Sequence, residues 1–287
     1  MTATLYIESV NMANVAKKIK TGPEHSRRNK PSRQSEKADY AQQLETQLKM
    51  AGAVQRDFLP RTLPDSDKFN WSVSFMPADW VSGDIYDITR LDEEHIGFYL
   101  ADAVGHSMPA ALLTMFLKQA IVMRQTTGSE YKIFTPLDVI NNLNQKMCAQ
   151  RLSGCQFVTC CYCLLNTKTL RLDYCRAGHP YPILIDRQDN ASRLQTRGSL
   201  LGIFDNAQFE QGNAQLKIGD KLILYSDGAE HFMGIEQNDS SLNFRKEFND
   251  ILTLPGGQLT AGFEKLTKEH KNPAEIDDIT VIVLEIK

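Results

Sequence analysis

Apolar positions along the chain follow two periods. At 71–76, 85–91, 95–101, 156–165, 169–176, 181–186, 221–225 and 279–286 they alternate with polar residues or run unbroken for a few positions, as half-buried or fully buried strands do. At 109–124, 136–151, 241–254 and 258–270 they recur three and four apart, which predicts helices. The strands come in runs joined by turns and the helices are grouped. That order predicts an α+β sandwich of sheets covered by helices rather than an alternating βαβ array. One domain over 65–287 accommodates all of these elements.

Ahead of this domain, Ala41, Leu44, Leu48, Ala51 and Phe58 recur at spacings of three and four, interrupted by polar Gln55. The seam predicts a linker helix within 35–64 that Gly52 weakens by about 1 kcal/mol relative to Ala and that Pro60 and Pro64 end. Two readings stay open: the helix covers its own sheet, or it pairs with a second copy to give a homodimer. Residues 1–34 are polar and read as a basic, mobile tail, with a docking helix at Met12, Val15 and Ile19 as the alternative.

The net charge of −3 is unevenly placed, because seven bases against two acids before Gln34 leave −8 on the remainder. An acidic body lacks the basic stripe that general nucleic-acid binding needs. The most apolar segment, 110–123, is broken by Lys118 and Gln119 and falls short of the roughly 18 residues of a membrane span. No span is expected, and without a leader pattern the expected compartment is the cytoplasm. Cys155, Cys160, Cys161, Cys163 and Cys175 lie close in sequence, but 157–165 reads as a buried strand whose neighbouring side chains point to opposite faces. They are expected to be reduced core residues rather than zinc ligands.

The chemistry concentrates in residues 100–113. The strand bearing Ile96, Phe98 and Leu100 delivers Asp102 to its end, a glycine loop follows, and Pro109 with an Ala/Leu run opens a helix. Asp84 after Ser82-Gly83, Asp227 before Gly228, and the pair Asp277-Asp278 ahead of the last strand sit in similarly punctuated places. Singly, each is a turn residue. Together they are expected to converge and to repel one another unless cations join them. Oxygen-only ligands suit Mg²⁺ or Mn²⁺, and two such ions about 3.5 to 4 Å apart activate water toward phosphorus while shielding phosphate charge. No phosphate loop, His-Glu-x-x-His or Gly-x-Ser-x-Gly element competes with this reading.

The ordered series Val54-Gln55-Arg56-Asp57-Phe58-Leu59-Pro60, Ser82-Gly83-Asp84-Ile85-Tyr86-Asp87, Ala101-Asp102-Ala103-Val104-Gly105-His106, Ala177-Gly178-His179-Pro180, Leu201-Gly202-Ile203, Tyr225-Ser226-Asp227-Gly228 and Asp277-Asp278-Ile279-Thr280 resembles the SpoIIE/RsbU-type branch of the metal-dependent protein phosphatases (PPM superfamily). The resemblance implies an αββα sandwich with two mainly antiparallel sheets. It implies two Mn²⁺ or Mg²⁺ ions and hydrolysis of phosphoserine or phosphothreonine, commonly on STAS-domain anti-sigma-factor antagonists. Asp102 would bridge both ions with the Ala103 carbonyl beside it, Asp227 and Asp277 would complete one site, and Asp84 would serve the other. Asp278 is a further ligand candidate, Asp87 a neighbour of undecided role, and His106 a candidate proton donor to the leaving oxygen.

The loop departs from the family's Asp-Val-Ser-Gly-His-Gly at Ala103, Val104 and Ser107. Arg56, Arg61 and Arg90 are unranked candidates for contacting phosphate, and His179 reads as a turn or core residue. The family's linker helix commonly joins a regulatory module to the catalytic domain, but residues 1–34 are too few for a sensor fold. Regulation is expected from a separate protein acting on the helix, from self-association, or not at all. The competing functional class is a catalytically weak, phosphatase-like binding module that sequesters a partner.

Overall fold

The computed structural model describes residues 33–105, 107–152, 156–238, 241–270 and 277–287. The chain divides into two units, 1–43 and 44–287. Expectations for 1–32, for His106 and for Cys155 lie outside the described residues.

Helix α1 (Arg33–Asp57) leads into β1 (Phe69–Met76), β2 (Asp84–Arg90) and β3 (His95–Ala103). After α2 (Met108–Ala120) come a hairpin of β4 (Arg124–Thr127) and β5 (Glu130–Ile133), then α3 (Pro136–Gln150). Strands β6 (Val158–Asn166), β7 (Arg171–Ala177), β8 (Ile183–Ile185), β9 (Ala191–Arg193), β10 (Gln211–Gln215) and β11 (Lys221–Tyr225) follow. The rest is α4 (Glu230–Met233), β12 (Glu236–Asn238), β13 (Ser241–Asn243), α5 (Lys246–Leu252), α6 (Gly256–His270) and β14 (Ile279–Ile286).

Two five-stranded sheets form, in the orders β1-β14-β11-β8-β9 and β10-β7-β6-β3-β2, and all their named strand pairs are antiparallel. Strand alternation builds the layers. Leu222 and Leu224 join Phe98, Leu100, Cys161, Cys163, Ile282 and Leu284 between the sheets, while Ile223 and Tyr225 face the layer of α5 and α6. Across the other sheet, Tyr99, Cys160 and Tyr162 pack against Leu113 and Leu117 of α2 and Ile140 and Leu143 of α3. This is the expected αββα arrangement, and the described strand cysteines are buried and free, as core residues. Among the described residues no helix is long and apolar enough to cross a membrane.

Two predicted helices are shorter than expected. The one over 109–124 ends at Ala120, where Ile121 turns extended, and 124–127 instead pairs with 130–133. The one over 241–254 begins only at Lys246, because 241–243 pairs with 236–238. In both cases a local hairpin overrides the helical spacing.

Candidate active site

The site arises where the inter-sheet alternation changes character. On β3 the residues facing the opposite sheet are Ile96, Phe98 and Leu100, and the next in that period is Asp102. On β2, Ile88 and Tyr86 lead back to Asp84, and on the facing sheet Leu224 leads to Ser226 and Ile282 to Thr280. One end of an apolar gap is thereby lined with oxygen.

Asp84 and Asp102 are direct partners across β2 and β3, which puts both carboxylates on one face. Thr280 Oγ1 donates to Asp84 Oδ2 at 2.6 Å and links the two sheets. The end of β11 is stitched to the start of β14: Thr280 N donates to Ser226 Oγ at 2.9 Å, and Ser226 N donates to the Thr280 carbonyl at 3.0 Å. Asp227 and Asp277 are carried to the same edge, where a methyl group on Gly228 would stand 3.2 Å from the Asp277 Cβ.

Asp278 is engaged differently. Its Oδ1 accepts from Ala78 N at 2.7 Å and its Oδ2 from Gly83 N at 2.6 Å, so the side chain clamps the loop before β2. Gly83 is required by close approach, because a Cβ there would lie 2.5 Å from the Gly105 carbonyl oxygen and 2.8 Å from that of Ala103. Asp87 forms an ion pair with Lys118 at 2.8 Å, which gives it a structural partner.

None of Asp84, Asp102, Asp227, Asp277 and Asp278 has a Lys or Arg ion-pair partner among the described residues. Burial, then repulsion from Asp227, Asp277 and Asp278, pushes the Asp102 carboxyl up to about 8. Burial and the Asp102 charge hold Asp84 well above the usual carboxylate range, and burial followed by Asp277 raises Asp227. Asp84 is 1% exposed, and its Oδ1 is buried with no hydrogen-bond partner. Among the described residues no three His, Cys, Asp or Glu side chains already converge on one point as a ligand set. The orphaned oxygen, the unneutralised carboxylates and the all-oxygen donors nevertheless fit hard divalent cations in kind.

Beside Asp227 opens a cavity of about 300 Å³ whose lining includes Thr159, Arg176, His179, Arg193 and Glu230. His179 is a buried residue, as the sequence suggested. Its Nδ1 lies 2.9 Å from Thr159 Oγ1, and burial followed by the Arg176 charge lowers its pKa to about 3, so the ring is neutral. Arg56, Arg61 and Arg90 are exposed and do not line this cavity.

Gln55, read from sequence as an interruption of the seam, is 4% exposed, whereas Leu44 is 46% exposed. Its Nε2 donates to the Ser82 carbonyl at 2.6 Å and to Thr114 Oγ1 at 2.9 Å, and its Oε1 accepts from Ser82 N at 2.8 Å. The amide thus ties α1 to α2 and to the residue two before Asp84. Gly52 permits this approach, since a Cβ there would stand 1.7 Å from the Trp80 carbonyl oxygen.

The order of the layers is that of a PP2C-type phosphatase fold. The structure is similar to the PP2C domain of SiaA from Pseudomonas aeruginosa, with a TM-score of 0.68 at 20% identity, covering 87% of this chain and 100% of that one. It also resembles the PP2C phosphatase domain of SpoIIE from Bacillus subtilis, with a TM-score of 0.56 at 19% identity over 77% of this chain and 64% of that one. Residues 92–287 match the family described as Stage II sporulation protein E (SpoIIE), and the chain belongs to that family. Among curated proteins it is similar to phosphoserine phosphatase RsbU of Bacillus subtilis (strain 168), 29% identical over 65% of this chain and 54% of that one. Phosphoserine phosphatase RsbP of the same organism is 26% identical over 63% of this chain and 44% of that one. The chain thus spans about half the length of these two relatives.

Proposed function

We propose that this chain is a serine/threonine protein phosphatase that hydrolyses phosphoserine or phosphothreonine on a signalling protein. Asp84, Asp102, the Ala103 carbonyl, Asp227 and Asp277 would hold two Mn²⁺ or Mg²⁺ ions. The observation that carries the reading is the Asp84–Asp102 pair: facing carboxylates, neither neutralised by a Lys or Arg, one with a buried oxygen that no donor reaches. Divalent cations held there by these residues would supply the missing positive charge and lower the pKa of a bound water. The chain's own residues organise the rest. Thr280 fixes Asp84, Asp278 clamps the loop before it through two backbone N–H groups, and Asp102 faces Asp84 from the neighbouring strand. In this reading Asp278 is a positioning residue rather than a ligand.

The likeness to RsbU and RsbP supports a phosphoprotein substrate, and the one we propose is a phosphorylated STAS-domain protein in the cytoplasm. Gln55 supports α1 as the element on which a regulatory protein or a second copy acts. The test is release of phosphate from p-nitrophenyl phosphate and from a phosphorylated STAS-domain protein, with Mn²⁺ or Mg²⁺ and with EDTA. Cation-dependent release that EDTA abolishes is expected. Hydrolysis indifferent to EDTA overturns the mechanism, and tight partner binding without turnover favours the sequestering module instead.

A further inference from the structure

The cavity beside Asp227 holds two arginines with different occupations. Arg176 on β7 is committed to the fold: its Nη1 donates to the His179 carbonyl at 2.5 Å, its Nη2 to the Thr196 carbonyl at 2.9 Å, and its guanidinium lies over the Tyr181 ring at 4.1 Å. The side chain of Arg193, the last residue of β9, makes no hydrogen bond and no ion pair among the described residues; its Nε is buried without a partner, as is that of Arg176, but unlike Arg176 it has no terminal nitrogen engaged either. Glu230 lines the same cavity and feels the Arg193 charge, which favours its ionised form, yet the two do not come within ion-pair distance, so the guanidinium donors stay unused. His179 is neutral and adds no charge.

A half-buried guanidinium with unused donors is costly to keep unless something repays its desolvation. Its planar fork matches a phosphate or a carboxylate bidentately. We infer that Arg193 is the substrate-binding residue of an oxyanion subsite beside Asp227, with Arg176 as its fixed positive wall. The inference deepens the phosphatase reading and rests on it. Two anions share this chemistry: the phosphate being removed, and an acidic side chain flanking the phosphoserine.

The test compares wild type, Arg193→Ala and Arg193→Lys in Mg²⁺ buffer, the lysine variant keeping charge and bulk should the alanine variant fail to fold. The measurements are protection from thermal unfolding by inorganic phosphate, its inhibition constant, and KM and kcat for p-nitrophenyl phosphate and for phosphopeptides with acidic or neutral flanks. For the scissile phosphate, Arg193→Ala raises KM and the inhibition constant on the order of tenfold, the loss of one charge-assisted contact, and weakens phosphate protection to match, with Arg193→Lys intermediate. For a flanking carboxylate, only KM for the acidic-flanked peptides rises. Unchanged values throughout in a folded variant overturn the inference. A wild type without turnover overturns the phosphatase reading instead, while phosphate protection still reports on Arg193.

Discussion

The hairpin of β2 and β3 carries aspartates at both ends, and their surroundings are opposite. At the turn, Asp92 Oδ1 accepts from Glu94 N at 2.8 Å and His95 N at 2.7 Å, lies 2.9 Å from His95 Nδ1, and Tyr131 donates to its Oδ2 at 3.1 Å. Burial pushes its carboxyl up, but these donors outweigh burial and hold it below the usual range. At the open end Asp84 has Thr280 as a side-chain donor to one oxygen and nothing on the other, and burial and repulsion push Asp84 and Asp102 up. A carboxylate saturated with donors closes a turn. In the function proposed above, one left short of donors among like charges keeps its oxygens for a cation.

The largest effect expected follows from breaking the open end. Asp102→Asn should lower turnover on the order of 10³-fold, the scale of losing one essential electrostatic group. In EDTA the same change should stabilise the fold, and the sign can be worked out. Asp102 titrates near about 4 when unfolded and at about 8 when folded, so the metal-free folded chain keeps a proton that the unfolded chain releases. Stability from that difference is full below the unfolded value and is lost as pH rises through 8. The gain in Tm from Asp102→Asn should therefore be small at pH 5 and largest above pH 8. Retained turnover, or a Tm that drops at pH 8, would break the contrast between the two ends.

A smaller effect should come from the support of the open end. Gln55→Leu keeps much of the volume but leaves the Ser82 N–H and carbonyl without their amide partner in a buried place. Because Ser82 stands two residues before Asp84, the expected result is a 10- to 100-fold higher Mg²⁺ or Mn²⁺ requirement, the usual cost of losing a group that orients ligands, with saturating cation restoring most of the turnover. A metal titration unchanged from wild type would mean that α1 does not hold the loop.

These contrasts were unevenly legible in the sequence. The unbroken apolar run Leu222-Ile223-Leu224 is a local signal, so a buried strand could be read directly, whereas the face each side chain takes came only from the packing of the two sheets and the helices. The positions of Asp84, Asp102, Asp227 and Asp277 at strand ends were readable for the same reason. The role of Gln55 was not, because an amide gains meaning only when Ser82, 27 residues away, folds against it. The engagement of Asp278 was not readable either, because the Ala78 and Gly83 N–H groups that its oxygens accept from lie 200 and 195 residues away. Arg176 and Arg193 carry no local signal, since their cavity is assembled from segments between Thr159 and Ile235. The hairpins at 124–133 and 236–243 were missed because such short strands hold too few residues to display a period.

The turn end provides the smallest expected effect and the sharpest control. Asp92→Asn weakens a set of charge-assisted hydrogen bonds, for which about 1 to 3 kcal/mol of stability is expected at pH 7. Asp92 has a lowered folded pKa, so the unfolded chain takes up its proton first as pH falls. Its contribution is therefore present above the unfolded carboxyl value and lost on acidification, opposite in sign to that of Asp102. The Tm difference between wild type and Asp92→Asn should be largest at neutral pH and shrink below about pH 4, while turnover at saturating Mg²⁺ is unchanged. A substitution here that removes activity while leaving Tm intact would reverse the roles of the two ends. Lost stability with normal turnover, set beside Asp102→Asn, would separate the aspartate that builds the hairpin from the one that works at its mouth.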